Sequence, residues 1–245
     1  MYKEVLNSTA HRDYPLPDKP WIMTQKWNDL LFMHFPVSQN ILAAQLPKGV
    51  VLDTFEGNAW ISITPFRVTN MHFRNMPPLP LIHSFIEINV RTYVKRNGVP
   101  GVFFLCMDVN NLPAVLGARI AALPYFYAKM NMKKKKDTIH IESIRKNTSD
   151  IALKGSYRPA SAAYFPERSS LTYWLMERYF LWSSRGDTLF RGDIHHMQWK
   201  VQDAEVIIEK QNLLPDLPDH SILGNPIFHL ADTKRVLVWP IKKVK

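Results

Sequence analysis

The sequence predicts a mainly β chain of the α+β class with a few short helices, and three observations predict it. From Phe85 to Val94, the apolar Ile86, Ile88, Val90 and Val94 alternate with Glu87, Asn89, Arg91 and Tyr93, which is the period of two of a strand. Tight-turn signals, Glu56-Gly57-Asn58 and Asn97-Gly98, sit between apolar runs. The other apolar runs are short and bounded by prolines or polar clusters, and only residues 112–122 carry a well-defined helical pattern. At 245 residues and 46% hydrophobic content the chain can bury one large core, so residues 1–245 read as a single domain.

The elements follow in order. Residues 1–27 read as an extended N-terminal arm, because Pro15, Pro17 and Pro20 surround Asp18 and Lys19. Trp27 to Pro36 is strand-like, and Ser38 caps a short helix that ends at Pro47. Val50 to Phe55 and Ala59 to Phe66 flank the first turn and read as a hairpin. After Asn97-Gly98, Val102 to Val109 is apolar on both faces and predicts a central strand. Asn110 or Asn111 caps the clearest helix, with Pro113 in its first turn, Val115, Ala118 and Ala122 on its apolar side and Pro124 beyond it. Tyr125 to Met132 and Thr138 to Arg145 are strands joined by the loop Lys133 to Lys136, and Ala152 to Arg158 is a third. Ser169 or Ser170 caps a further short helix, and strands follow at Tyr179 to Trp182, Leu189 to Trp199, Ala204 to Glu209 and Val236 to Ile241.

Composition limits the function classes. The single cysteine, Cys106, lies in an apolar run, so burial accounts for it and no intrachain disulfide forms. The N-terminal residues carry no apolar leader and no apolar stretch reaches the ~20 residues of a membrane span, so the sequence predicts a cytoplasmic protein without a membrane partner. The net charge of +10 suits a polyanion, yet much of it is concentrated in Lys133 to Lys136 and in Lys242, Lys243 and Lys245. No helix-turn-helix, zinc-finger or RNP signature accompanies these lysines, so nucleic acid is not the expected partner. A homo-oligomer is left open.

Several phrases resemble a bacterial family of YqjF-like proteins, whose members share a domain of unknown function. They are His11-Arg12 with Pro15-Leu16-Pro17-Asp18-Lys19-Pro20-Trp21, then Leu52-Asp53-Thr54-Phe55-Glu56-Gly57, Asn89-Val90-Arg91-Thr92-Tyr93 and Leu123-Pro124-Tyr125-Phe126. Gly155-Ser156-Tyr157-Arg158-Pro159, Glu177-Arg178-Tyr179, Arg191-Gly192-Asp193-Ile194-His195-His196 and Val238-Trp239-Pro240 continue the match over most of the chain. The resemblance extends distantly to acetoacetate decarboxylase. It implies a closed or cone-shaped antiparallel β-barrel around a pocket, with a helix leading into a strand that carries paired lysines in a Pro-Lys-Lys phrase. Here Pro124-Tyr125-Phe126 stands at that phrase, and neither tyrosine nor phenylalanine forms an imine.

The candidate site residues follow from strand faces and from this resemblance. Arg91 and Tyr93 share a face with Glu87 and Asn89; in a barrel that face meets a cavity, where Arg91 pairs a carboxylate, and in an open sheet it meets water. Tyr125, Tyr127 and Lys129 share another face by the period of two. Lys129 has no adjacent cation to lower its pKa, which disfavours a Schiff base. Arg119, Tyr157 and Arg191 complete the expected ligand shell, and His195 beside Asp193 is the candidate general base. No dinucleotide or phosphate-loop fingerprint and no His-x-x-x-His spacing occurs, so neither cofactor nor metal is predicted. The leading expectation is a small-molecule binder for an anionic or carbonyl-bearing ligand. Its rivals are an acid/base enzyme on a keto or enol acid through His195 and Asp193, and a nucleic-acid or protein interaction module built on Lys133 to Lys136.

Overall fold

The computed structural model describes residues 2–145, 150–214, 217–218 and 221–244; Lys245 of the basic tail lies outside them. In chain order the elements are α1 (Tyr2–Asn7), β1 (Met23–Val37), α2 (Gln39–Ala43), β2 (Val51–Leu52), β3 (Ala59–Phe73), β4 (Phe85–Arg96) and β5 (Val99–Val109). Then come α3 (Leu112–Ile120), β6 (Tyr125–Lys135), β7 (Thr138–Arg145), β8 (Ile151–Pro159), α4 (Leu171–Met176) and β9 (Phe180–Arg185). Last are β10 (Thr188–His195), β11 (Gln202–Gln211), β12 (Ile227–Val238) and β13 (Lys242–Val244).

All these strands belong to one sheet, and it closes twice. The order β5-β6-β7-β8-β11-β12-β1-β3-β4 returns to β5 and makes a nine-stranded barrel. The order β5-β9-β10-β12-β1-β3-β4 also returns to β5 and makes a seven-stranded ring. The two share the wall β12-β1-β3-β4-β5, so side chains of the wall alternate between two interiors. Leu31, Met33, Ile61, Ile63, Ile86, Ile88 and Val90 pack into the barrel with Ile139, Ile141 and Leu153. Leu30, Phe32, Trp60, Phe66, Phe85 and Tyr93 pack into the ring with Phe104, Leu175 and Trp199. This is the physical reason β5 is apolar on both faces, and β4, despite its polar alternation, is likewise buried on both faces, as a closed sheet requires.

Three expectations change. Glu56 and Gly57, both at positive φ, do form a tight turn between Phe55 and Asn58, but β2 then pairs with β4 and not with β3. Lys133 to Lys135 are strand residues of β6, leaving Lys136 and Asp137 as the turn, so the lysine loop is shorter than expected. The barrel is antiparallel except where β5 meets β6 and β9 in parallel, because the β5–β6 connection is a crossover through α3 and not a hairpin. Asn111 caps α3 by accepting from the Ala114 amide, and Ser170 caps α4 by accepting from Tyr173. The expected extended arm over residues 1–27 is corrected too: Tyr2–Asn7 is helical and Met23 already belongs to β1, while the stretch between is held down where His11 Nε2 meets the His196 carbonyl at 2.9 Å and Trp21 is buried. Among the described residues no helix is long and apolar enough to cross a membrane.

Candidate functional site

The polar face of β4 opens onto the ring interior, and the residues it meets there are unusual for a core. Tyr93 Oη lies 2.6 Å from Ser62 Oγ, which lies 2.6 Å from His34 Nδ1. His34 stacks on Phe32 at 6.0 Å and meets His229 edge-on at 5.5 Å. Burial, then the charges of His229 and Arg91, hold His34 well below the usual histidine range, so it is neutral. The Arg91 guanidinium carbon sits 5.6 Å from the centre of the Phe32 ring, and among the described residues no carboxylate forms an ion pair with it. Arg178 is the second guanidinium, stacked on Trp174 at 4.2 Å and over Tyr93 at 5.3 Å, but it is neutralised by Asp53 at 2.6 Å.

Among the described residues, several buried polar atoms of the residues that pack into the ring have no partner: Arg91 Nε, His34 Nε2, His229 Nδ1, and the indole N–H groups of Trp60 and Trp199. Phe32 links three of their owners, since Trp199 meets it edge-on at 5.2 Å. Buried polar groups are normally satisfied, so this concentration of unpartnered atoms sets the face apart from an ordinary core.

Toward the other end of β4 the face continues through Asn89 to Glu87. Tyr125 Oη donates to Glu87 Oε2 at 2.9 Å. Burial pushes the Glu87 carboxyl up to about 7, against the hydrogen bonds from Tyr125 and Asn89 that favour its charge. Tyr125 also lines an apolar cavity of about 510 Å³ between the ring strands and α3.

The remaining expected residues are scattered. Tyr127 is half-buried against the same core. Lys129 is exposed on β6 and joins neither tyrosine in a pocket. Arg119 Nε donates to the Tyr125 carbonyl at 2.8 Å, tying α3 to β6. Tyr157 lies in the other interior, its hydroxyl donating to the Asp29 carbonyl at 2.7 Å. The His195 and Asp193 pair does not form: Asp193 is taken by Arg191 at 2.6 Å, which stacks on Phe180. His195 Nε2 instead meets the Val5 carbonyl at 2.7 Å and Nδ1 faces Arg12 at 3.3 Å. Desolvation lowers its pKa to about 4, which fits a neutral tether between α1 and β10. Cys106 lies beside Arg145 Nη2 at 3.1 Å, and burial pushes its thiol up to about 11, which favours the protonated form. His34, Ser62, His229 and the two indoles escaped sequence reasoning. His34 carried a signal, as the lone titratable residue in the apolar run from Leu30 to Val37.

Residues 24–234 match the DUF2071 family, described as an uncharacterized conserved protein. The chain belongs to this family. It is 44% identical over 236 residues to the uncharacterized protein YqjF of Bacillus subtilis (strain 168), spanning 95% of this chain and 96% of that one. Solved structures share the fold at low identity. Acetoacetate decarboxylase from Legionella pneumophila aligns with a TM-score of 0.63 and 16% identity over 98% of this chain and 95% of that one. The enduracididine biosynthesis enzyme MppR complexed with pyruvate aligns with a TM-score of 0.64 and 9% identity over 95% and 93%. The family member described here therefore has an acetoacetate decarboxylase-like fold.

Proposed function

We propose that this chain binds a small anionic or carbonyl-bearing molecule inside the seven-stranded ring, with Arg91 as the partner of a carboxylate. The observation that carries this reading is the cluster in which Arg91, His34 and Trp199 surround Phe32 and His229 meets His34, with polar atoms that have no partner among the described residues. Guanidinium is suited to planar carboxylates, and indole N–H groups supply neutral donors that a bound oxygen satisfies. The presence of pyruvate in the MppR complex supports the reading, since a protein of the same fold holds a keto acid. The chain lacks lysines at the Tyr125-Phe126 phrase and exposes Lys129, which argues against imine chemistry and leaves binding as the better-supported activity.

The test is a thermal-shift titration with pyruvate, acetoacetate and acetate. A ligand at 100 times its Kd stabilises the fold by about 2.7 kcal/mol. Saturable stabilisation by at least one of these acids is expected, weakened about tenfold or more in Arg91→Met, since truncating one side of a buried charged pair costs several kcal/mol. Equal binding by wild type and Arg91→Met would remove Arg91 from the site.

A further inference from the structure

Helix α3 is built the wrong way round for a core helix. A helix that seals a barrel normally turns its large apolar side chains inward. Here Leu112, Leu116 and Ile120 are 49%, 57% and 83% exposed. Val115 is its one large side chain buried in the core, and the other α3 positions along the cavity are mostly small, Pro113, Ala114, Gly117, Ala118 and Ala121, with Ile120 at the mouth. Small side chains there leave the space of about 510 Å³ that Leu or Ile would fill, a volume in the range of ligand pockets.

The polarity of that space is also specific. Its inner polar groups are already engaged: Tyr125 donates to Glu87, and Gln25 accepts from Trp27 Nε1 at 2.7 Å while its amide meets Met71 Sδ at 3.8 Å. The one charged side chain on its wall is Lys243, exposed on β13, and among the described residues Lys243 forms no ion pair. Ile22, Phe73 and Ile120, all exposed, rim the same opening. An occupant with a polar body finds no partner inside, whereas one with an apolar tail and a single anionic head matches both the wall and the mouth.

We propose that the α3 cavity is a second binding site, separate from the Arg91 cluster, for an amphipathic monocarboxylate whose tail lies beneath α3 and whose carboxylate meets Lys243. The Tyr125–Glu87 contact lies between this cavity, which Tyr125 lines, and the rest of the polar face of β4.

Calorimetry with acetate, hexanoate, octanoate and octanol tests it on the whole chain. Affinity is expected to rise about fourfold per methylene from hexanoate to octanoate, the transfer gain of burying each one, with one octanoate per chain and no binding of acetate at this site. Lys243→Ala weakens octanoate a few-fold and leaves octanol unchanged, and Lys243→Arg restores octanoate. Ala118→Phe, which fills the cavity, weakens both octanoate and octanol at least tenfold, and the near-ultraviolet dichroism of the unliganded variant checks that it has folded. Arg91→Met leaves octanoate binding intact, so failure at the Arg91 cluster and failure here are read separately. Affinity independent of chain length, non-saturating uptake of several molecules, or octanoate binding that survives in both Ala118→Phe and a second plug, Ala114→Phe, overturns the proposal.

Discussion

Glu87 is the side chain whose ionisation should be visible in the stability of the whole protein. Its carboxyl is raised in the fold from 4.5 to about 7 by burial. Between those values the unfolded chain has released the proton while the native chain keeps it, so stability falls as pH rises from about 4.5 to about 7 and is level above. The size of the fall is at most about 3.5 kcal/mol, taking ~1.4 kcal/mol per pKa unit over the rise from 4.5 to about 7. Glu87→Gln keeps an acceptor for the Tyr125 hydroxyl and cannot ionise. Urea unfolding at several pH values should therefore show the variant gaining on wild type across this window, with a constant difference beyond it; parallel curves would mean that Glu87 stays charged. Arg12 shows the other behaviour of a buried ionisable group. Its guanidinium stacks on Tyr179 at 4.1 Å and donates to the Ile194 carbonyl at 2.9 Å, so it works as an anchor for the arm. His195 next to it does the same for α1, which is why a histidine beside an aspartate in sequence is no catalytic pair here.

At the scale of elements, closure depends on strands approaching closely where a side chain has no room. A Cβ at Gly155 on β8 would run into the Ile207 carbonyl oxygen of β11, at the pairing that carries the barrel from β8 to β12. Gly155→Ala should destabilise by about 1–3 kcal/mol, the usual cost of forcing extra volume into a packed position. Gly117 in α3 has nothing within contact of its Cβ position, so Gly117→Ala should be neutral or stabilising by up to about 1 kcal/mol. Chemical denaturation of the two variants side by side checks the contrast; equal midpoints would mean that β8 and β11 shift apart freely. The elements also show where local signals failed. Turn chemistry at Glu56-Gly57 was legible, yet which strand β2 joins was not, because a turn fixes chain reversal and not the partner of a two-residue strand. The start of β12 at Ile227 was hidden for a related reason: the strand faces barrel, ring and solvent in turn, and its apolar pattern is broken by His229, Asp232 and Lys234.

At the scale of the molecule, five strands serve two cores, so neither core can be lost alone without exposing the shared wall. Tryptophan fluorescence, which reports the seven tryptophans, four of them (Trp27, Trp60, Trp174 and Trp199) in the ring core and none in the barrel core among the described residues, and far-ultraviolet dichroism, dominated by all the strands, should give coincident urea transitions. Separate midpoints would show that the ring melts before the barrel. What the sequence by itself determined is local: strand periodicity at β4, the turn at Asn97-Gly98, the Asn111 cap of α3, and, by resemblance, the family and its barrel. These are legible because they depend on residues a few positions apart, or on phrases that resemble a known family. What only the tertiary structure decided is which polar residues share an interior. Arg91, His34, His229 and Trp199 come from four distant segments, and they meet because the sheet closes twice and the wall's alternating side chains are sorted into two enclosed spaces. Tyr157, His195 and Arg191 lie outside the shared wall: Tyr157 is on β8, which borders only the barrel, and on β10 His195 meets the Val5 carbonyl while Arg191 pairs with Asp193 over Phe180.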